Sequence, residues 1–331
     1  MYSAIYIEKQ LLSHPRVETL LARFSNLPLI TIDRYGEIFN RKAQNFRLQK
    51  RAPALIIAGK QKNHVLPTPE QYGLGGKHNY YFSHLLNCIY DCRYCFLQGM
   101  YRSAHYVWFA NYEDFAQAVM EKIEQHRGET CYFYSGYDCD SLALEPVTQF
   151  VDYFLPLFSG QLNAVLELRT KSTQVRTLLD RSPMENCVVA FSFTPENIAR
   201  KLEHKVPSNQ KRLEAMKKLQ QRGWKVGLRF DPLIYADDYR ANYQRLFESV
   251  FSQIQAGSLH SVSLGVFRLP EPYYRTMQRL YPGEQLFAVK LANSNGMVSY
   301  QAEIEKRLVD DCQSLLLEHI PEKIYYPCFM Q

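Results

Sequence analysis

Short apolar runs alternate with amphipathic segments along most of this 331-residue chain, and the alternation restricts its fold more than any other feature. Apolar, β-branched or aromatic runs of this kind are typical of parallel strands buried on both faces. They occupy residues 80–86, 131–134, 164–168, 187–193, 225–230 and 261–267. The segments between them have apolar residues three and four apart, which predicts helices. Right-handed crossovers then give an α/β protein, either an open doubly wound sheet or a partial barrel.

The first 75 residues differ in sequence pattern from the rest of the chain. They are punctuated by proline and predict only short elements, such as a helix at 17–24 and a strand at 54–58. We therefore expect an N-terminal extension over 1–75 and a barrel domain over 76–331. A helical pattern around 304–315 and the tail at 324–329 are predicted to cap or close the sheet.

The composition excludes several classes of protein. With 46% hydrophobic and 22% charged residues the chain is neither disordered nor of low complexity. No apolar run approaches the length of a membrane span, and the N-terminus lacks the layout of a secretion signal. We expect a cytoplasmic protein without a membrane partner. A net charge of +6 permits a phosphate-rich partner without requiring one.

Three cysteines stand close together directly after the first predicted strand. Cys88, Cys92 and Cys95 have the spacing C-x3-C-x2-C, which allows one loop to fold three thiolates onto an inorganic centre. An iron–sulfur cube with three cysteine ligands leaves one iron open for chemistry, much as a catalytic zinc keeps an open position. The alternatives are a zinc knuckle, for which His84 is the nearest further ligand, and unrelated buried cysteines.

The cysteine motif, its position and the strand–helix alternation resemble the radical S-adenosylmethionine superfamily. More narrowly, several segments are similar to the spore photoproduct lyase family of DNA repair enzymes: residues 5–9, 87–98, 140–146, 167–172, 191–195, 212–215, 223–227 and 265–268. The resemblance implies a partial (β/α)6 TIM-like barrel with the N-terminal extension and C-terminal helical cap. It also implies a [4Fe–4S] cluster on Cys88, Cys92 and Cys95 that binds S-adenosyl-L-methionine and cleaves it reductively to a 5′-deoxyadenosyl radical.

The resemblance further assigns residues around that cofactor. Lys171 matches a lysine that approaches the cofactor carboxylate, a role that suits its compact charge. Ser192 matches a polar cofactor contact. Lys171 ends the third strand and Ser192 lies on the fourth, at the end of a barrel where ligands bind. Tyr94 and Arg268 also match family positions. A solvated lysine, an ordinary strand-end hydroxyl, a core tyrosine and a surface arginine are the structural alternatives.

Two departures from the family pattern concern hydrogen transfer. Tyr137 stands where the family has its hydrogen-donating cysteine, and Phe96 replaces a tyrosine directly after the third cysteine. Cys139 occupies the position of a cofactor-contacting serine. If residues 137–139 are extended, Cys139 and Tyr137 share one face, so we predict Cys139 as the substitute donor. A small buried thiol is the alternative.

Taken with the family, the sequence predicts a monomeric radical lyase that acts on thymine photoproducts or other damaged DNA. DNA is the expected partner, together with an electron donor such as flavodoxin or ferredoxin. The cations that we expect on DNA phosphates are Arg41, Lys42, Arg47, Lys50 and Arg51, with a second group at Lys201, Lys205, Lys211, Lys217 and Lys218. Solvated helix faces explain the second group equally well. The alternatives are a radical enzyme with another substrate and a non-catalytic cluster or zinc protein that binds nucleic acid.

Overall fold

The computed structural model describes residues 2–69 and 72–328, which form strands, α-helices and short 3₁₀ turns. The strands are β1 (Ile5–Glu8), β2 (Leu29–Ile32), β3 (Leu55–Ala58), β4 (Leu66–Pro67), β5 (His78–Tyr81), β6 (Leu85–Leu86), β7 (Asp91–Cys92), β8 (Tyr106–Phe109), β9 (Cys131–Tyr134), β10 (Ala164–Thr170), β11 (Cys187–Ser192), β12 (Glu203–His204), β13 (Lys225–Leu233), β14 (Leu259–Val266), β15 (Arg268–Pro270), β16 (Leu291–Ser294), β17 (Met297–Tyr300) and β18 (Tyr325–Pro327). The α-helices are α1 (Pro15–Arg23), α2 (Phe46–Arg51), α3 (Leu97–Met100), α4 (Tyr112–Gln125), α5 (Glu145–Thr148), α6 (Phe150–Phe158), α7 (Arg176–Leu179), α8 (Glu196–Leu202), α9 (Asn209–Arg222), α10 (Tyr239–Phe251), α11 (Glu271–Leu280) and α12 (Ala302–Leu317). Single 3₁₀ turns lie at Lys9–Leu11, Tyr35–Glu37, Ala256–Ser258, Gln285–Ala288 and Glu322–Ile324.

The main sheet has eight strands in the order β18-β14-β13-β11-β10-β9-β5-β4. Each neighbouring pair from β5 to β18 is parallel, and only β4 pairs antiparallel, with β5. Helices connect successive parallel strands, and β11 is buried at every position. The sheet is curled into a half-barrel, which confirms the predicted partial barrel.

The prediction of one strand over residues 80–86 is wrong. The chain leaves the main sheet after Tyr81, and Leu85–Leu86 pair antiparallel with β8 in a second sheet. The intervening Phe82, Ser83 and His84 are fully buried, so burial continues across the change of sheet. The His84 ring stacks on Phe150 at a centroid distance of 4.0 Å.

The second sheet has the order β2-β1-β3-β8-β6. It takes three strands from the predicted extension and two from residues beyond it, so residues 1–75 do not form a sheet of their own. Side chains of both sheets also belong to one continuous hydrophobic core. The boundary near residue 75 stays a prediction, and strand pairing crosses it.

The C-terminal segment covers one edge of the half-barrel. Helix α12 packs against α10 and β14 and buries Leu308, Cys312 and Leu316. Strand β18 then adds in parallel to β14, so the predicted helical cap is present and the tail extends the sheet. Phe329, the last residue of the predicted tail, lies outside the described residues. None of the described helices combines the length and the apolarity that crossing a membrane demands.

A small sheet, β15-β17-β16, and helix α11 stand beside the carboxyl ends of the barrel strands. Helix α11 packs on α3, the short helix that follows the cysteine motif. The contact depends on Gly99, because a Cβ atom there would lie 2.4 Å from the carbonyl oxygen of Tyr273. This close approach fixes one wall of the cavity described next.

Candidate active site

The ends of the parallel strands, the cysteine loop and α11 enclose one cavity of about 560 Å³. All the residues that the sequence assigned to catalysis, cofactor or metal line it: Cys88, Cys92, Tyr94, Cys95, Tyr137, Cys139, Lys171, Ser192 and Arg268. These residues come from segments spread over 180 positions of the chain, and the fold brings them together. Their individual roles stay predictions.

The cysteine loop is held by local hydrogen bonds. Asn87 adopts a positive φ of 70° and its side-chain amide donates to the carbonyls of Ser103 (2.8 Å) and His105 (2.7 Å). The turn then tightens, since the Cys95 amide donates to the Cys92 carbonyl at 3.0 Å. The three cysteines carry free thiols, with Cys92 buried and the other two half-buried. The loop thus presents three thiols to one cavity.

The electrostatic surroundings of these thiols fit a cationic centre. Burial raises the pKa of the thiols of Cys88, Cys92 and Cys95, and the charges of Lys50 and Lys171 offset part of that rise at Cys95. Buried thiolates therefore require a positive partner such as bound iron. Within 2–69 and 72–328, no three His, Cys, Asp or Glu side chains meet as a site for a single ion. A cluster has a different requirement, because its cysteines ligate different irons.

His84, the fourth ligand of the zinc alternative, is directed elsewhere. It does not appear among the residues that line the cavity, and it stacks on Phe150. Burial lowers its pKa to about 3, and neither ring nitrogen has a hydrogen-bond partner among the described residues. The structure therefore separates His84 from the three thiols.

Lys171 and Ser192 are joined to the cysteine loop through Glu203. The Glu203 carboxylate accepts hydrogen bonds from the Tyr94 hydroxyl and from Arg212 Nη2 (2.7 Å), and it lies 3.9 Å from Lys171 Nζ. The Arg212 guanidinium also donates to the Ser192 carbonyl at 2.6 Å. Burial raises the pKa of Glu203, but Arg212 and Lys171 outweigh burial and hold it below its usual range. An ionised carboxylate thus holds Lys171 at the cavity.

The backbone at Glu203 adds a second connection to the loop. Strand β12 pairs antiparallel with β7, so Glu203 lies opposite Cys92, and the Arg93 amide donates to the Leu202 carbonyl at 2.8 Å. Sequence reasoning missed Glu203 and Arg212 as parts of the site. Arg212 begins one of the family-like segments, but nothing in the local pattern distinguishes it from the solvated cations of its helix.

Asp140 fixes the loop that follows β9. Its carboxylate accepts from the amides of Leu142, Ala143 and Lys171 and from the Thr170 hydroxyl, at 2.6–3.0 Å. Gly136 permits this loop to lie against β10, because a Cβ atom there would come within 2.9 Å of the Arg169 carbonyl oxygen. The loop is therefore anchored at the carboxyl end of the neighbouring strand.

Residues 137–139 form bends and not the extended segment that we expected. The premise that Tyr137 and Cys139 share a strand face is wrong, although both side chains line the cavity. Cys139 is buried and its thiol lies 3.7 Å from the Ser135 carbonyl oxygen. The Tyr137 ring contacts Tyr81 at a centroid distance of 4.4 Å and Phe96 at 5.5 Å. The two donor candidates thus reach the cavity from different surroundings.

Arg268, the last of the predicted residues, belongs to a wall formed by β15, α11 and β17. Arg268, at the start of β15, lines the cavity, and its guanidinium donates to the carbonyl of Cys328 in the C-terminal tail. The sequence did not predict its neighbours Tyr273 and Met297, which make that wall largely apolar. Such a surface suits the flat face of a base more than a charged ligand.

The curled parallel sheet and the three-cysteine loop beside it have the fold of a solved DNA repair lyase. A double mutant of spore photoproduct lyase, solved with bound AdoMet and dinucleoside spore photoproduct, superposes on this chain with a TM-score of 0.87 at 18% identity. The alignment covers 100% of this chain and 99% of that structure. At this level of sequence identity, the similarity shows that the two proteins share a fold.

The family is given by sequence comparison. The family model described as spore photoproduct lyase matches residues 2–295, and the chain belongs to this family. It is similar to spore photoproduct lyase of Bacillus subtilis (strain 168), at 21% identity over 288 residues, which cover 85% of this chain and 83% of the relative. It is also similar to that of Geobacillus sp. (strain Y412MC61), at 23% over 202 residues, covering 60% and 59%.

Proposed function

We propose that this chain is a radical S-adenosylmethionine lyase that repairs a thymine photoproduct in DNA. One observation carries the proposal: a single cavity collects the three cysteines, the matched cofactor residues Lys171 and Ser192, and the two candidate hydrogen donors. Membership of the spore photoproduct lyase family supports the same reaction class. When bound, the cluster and S-adenosyl-L-methionine would supply 5′-deoxyadenosyl radical chemistry to the two cross-linked thymines in the cavity.

The side chains that line the cavity bind the cluster, the cofactor and the substrate. Cys88, Cys92 and Cys95 hold the [4Fe–4S] cluster, and Lys171 attracts the cofactor carboxylate. Tyr94 lies beneath Lys171, whose ammonium is 5.7 Å from the centre of its ring. The apolar wall at Tyr273 and Met297 receives the damaged bases, and Arg268 lies at the edge of that wall. A damaged base costs less to unstack than an intact one, which favours its entry.

The partners follow from this reaction. The substrate is DNA, and the cluster requires an external one-electron donor such as flavodoxin or ferredoxin. We propose that the chain works in the cytoplasm. We also propose that it works as a monomer, since one chain supplies all the predicted site residues of the cavity. We withdraw Lys50 from the cations that we expected to contact DNA phosphates. Its ammonium lies 3.4 Å from the Asp91 carboxylate and its side chain is only 14% exposed.

The reaction is tested by anaerobic reconstitution with iron and sulfide. With dithionite as reductant, we expect 5′-deoxyadenosine to form, and dinucleoside spore photoproduct to be converted to two thymidine units. Formation of 5′-deoxyadenosine without repair, with any thymine photoproduct, would favour a radical enzyme with another substrate. A zinc-loaded protein that never forms 5′-deoxyadenosine would overturn the proposal in favour of a non-catalytic metal protein.

The return of hydrogen to the product radical gives a second prediction. We propose Cys139 as the donor because a thiol gives up its hydrogen atom to a carbon radical more readily than a phenol. Cys139→Ala is expected to leave iron content and 5′-deoxyadenosine formation intact and to lower repaired product about tenfold or more. Product analysis by chromatography measures the ratio of repaired thymine to 5′-deoxyadenosine.

Tyr137→Phe is the matched comparison, since it removes a hydroxyl and keeps the ring contacts with Tyr81 and Phe96. We expect this variant to repair normally. Normal repair by Cys139→Ala together with failure of Tyr137→Phe would assign the donor to the tyrosine. If neither change affects repair, both assignments are wrong.

A further inference from the structure

The surface beside the cysteine loop carries a group of cations, four of which, Arg47, Lys50, Arg51 and Lys205, we first expected on DNA phosphates. Helix α2 exposes Arg47, Leu48 and Arg51, and it has no acidic residue in its first turn. We use the name basic patch for these three residues and their neighbours Lys50, Arg93 and Lys205. Leu48 is 60% exposed and is the apolar member of the basic patch.

Direct contacts join the basic patch to the cysteine loop through Asp91, the residue before Cys92. Asp91 lies 3.4 Å from Lys50 Nζ and 3.3 Å from Arg93 Nη2. Lys205 donates to the Lys50 carbonyl at 3.2 Å, which ties this cation to α2. The basic patch therefore adjoins Cys92: Arg93 directly follows this cysteine, and Lys50 contacts Asp91, which directly precedes it.

The basic patch is outside the substrate cavity. Among the described residues that line the cavity, the cations are Arg169, Lys171 and Arg268, and no member of the patch is included. The Arg93 guanidinium instead stacks over the ring of Tyr281, 3.8 Å from its centre. A partner on this surface would approach the cysteine loop without entering the space for cofactor and substrate.

We propose that the basic patch docks an acidic one-electron carrier protein, which reduces the cluster. The inference rests on the proposed function, because only a reductive reaction needs this partner. The carrier loses one electron and the cluster gains it, while no bond forms or breaks at the surface. Cations around one exposed apolar side chain suit a short-lived complex, in which charge steers the encounter and a small apolar contact orients it.

A DNA backbone fits the same surface less well. Phosphate contacts need cations that lead toward the cavity, since the damaged base has to reach it. In the basic patch, Lys50 and Arg93 are engaged by Asp91, and Leu48 lies between the exposed charges of Arg47 and Arg51. An apolar residue at that place has no partner on a phosphate backbone but has one on a protein.

The test compares two variants of equal charge change in the full, reconstituted chain. Arg47→Glu/Arg51→Glu reverses two charges of the basic patch, and Arg176→Glu/Arg222→Glu reverses two exposed arginines on α7 and α9. Binding of an acidic flavodoxin is measured by calorimetry at about 50 mM and about 300 mM salt, which differ strongly in screening. We expect the patch variant to bind flavodoxin about tenfold or more weakly at low salt, and the control variant to bind as the wild type does.

Dithionite separates this inference from the function on which it rests. The patch variant is expected to form 5′-deoxyadenosine at the wild-type rate with dithionite, and more slowly with reduced flavodoxin. Equal flavodoxin affinity for wild type and patch variant would overturn the inference, and so would equal weakening in both variants. Loss of duplex DNA affinity in the patch variant, with unchanged flavodoxin binding, would assign the surface to nucleic acid instead. Failure of the wild type with dithionite would contradict the proposed function itself.

Discussion

Replacing Cys92 with alanine is expected to remove bound iron and to lower 5′-deoxyadenosine formation more than about 100-fold. A residue that only supports a metal ligand already contributes 10–100-fold, so the loss of a ligand exceeds that range. Cys92 is the most buried of the three cysteines and lies opposite Glu203 in a strand pair. Iron and sulfide content per chain, measured after anaerobic reconstitution, gives a readout independent of turnover.

Two other cysteines serve as controls for this prediction. Cys187→Ala removes a buried thiol at the start of β11, away from the cavity, and is expected to retain iron. Cys139→Ala removes the fourth thiol of the cavity and is also expected to retain iron, because three cysteines suffice for the cluster. Iron loss in Cys139→Ala equal to that in Cys92→Ala would show four thiolate ligands and leave no open position.

Local patterns were enough to predict the parts of the site that lie close together in sequence. The three cysteines lie within eight consecutive positions, so their proximity hardly depends on the rest of the fold. Lys171 and Ser192 lie near the carboxyl ends of apolar runs, and parallel strands present these ends at one edge. The strand at 131–134 was predicted at its observed bounds, because a buried parallel strand is apolar throughout.

Tertiary contacts decided what the sequence did not reveal. The run at 80–86 supplies strands to two different sheets, and burial alone does not indicate where the chain passes from one sheet to the other. Residues 137–139 bend because Asp140 takes its hydrogen bonds from residues 142, 143, 170 and 171. Lys50 is withdrawn from solvent by Asp91, which is 41 positions away. Each of these outcomes depends on a contact with a distant residue, which the local sequence pattern does not predict.

The buried pair of Glu167 on β10 and Arg229 on β13 provides the largest expected effect on stability. Their closest atoms are 2.6 Å apart and both side chains are at most 1% exposed. Gly227 leaves room for the guanidinium, since a Cβ atom there would lie 3.1 Å from Arg229 Nη1. Arg169 also donates to Glu167, at 3.0 Å. One carboxylate thus compensates two cations inside the half-barrel.

Glu167→Gln keeps the shape of the side chain and removes its charge, so Arg229 becomes a buried cation without a counter-ion. Breaking such a pair costs about 3–5 kcal/mol of unfolding free energy. The matched control is Glu196→Gln, which removes the partner of Arg200 in an exposed pair on α8. Surface pairs of this kind contribute about 0–1 kcal/mol, so urea denaturation should separate the two variants clearly.

The pH dependence of the same difference identifies the charge as the cause. Burial raises the pKa of Glu167, but Arg229 and Arg169 outweigh burial and lower it to about 2. Because the folded pKa lies below the unfolded value of about 4.3, the contribution is complete above that value and is lost as pH falls toward 2. The stability gap between wild type and Glu167→Gln should therefore be constant near neutral pH and shrink below about pH 4. A gap that stays constant down to pH 2 would mean that the glutamine acts through packing and not through the missing charge.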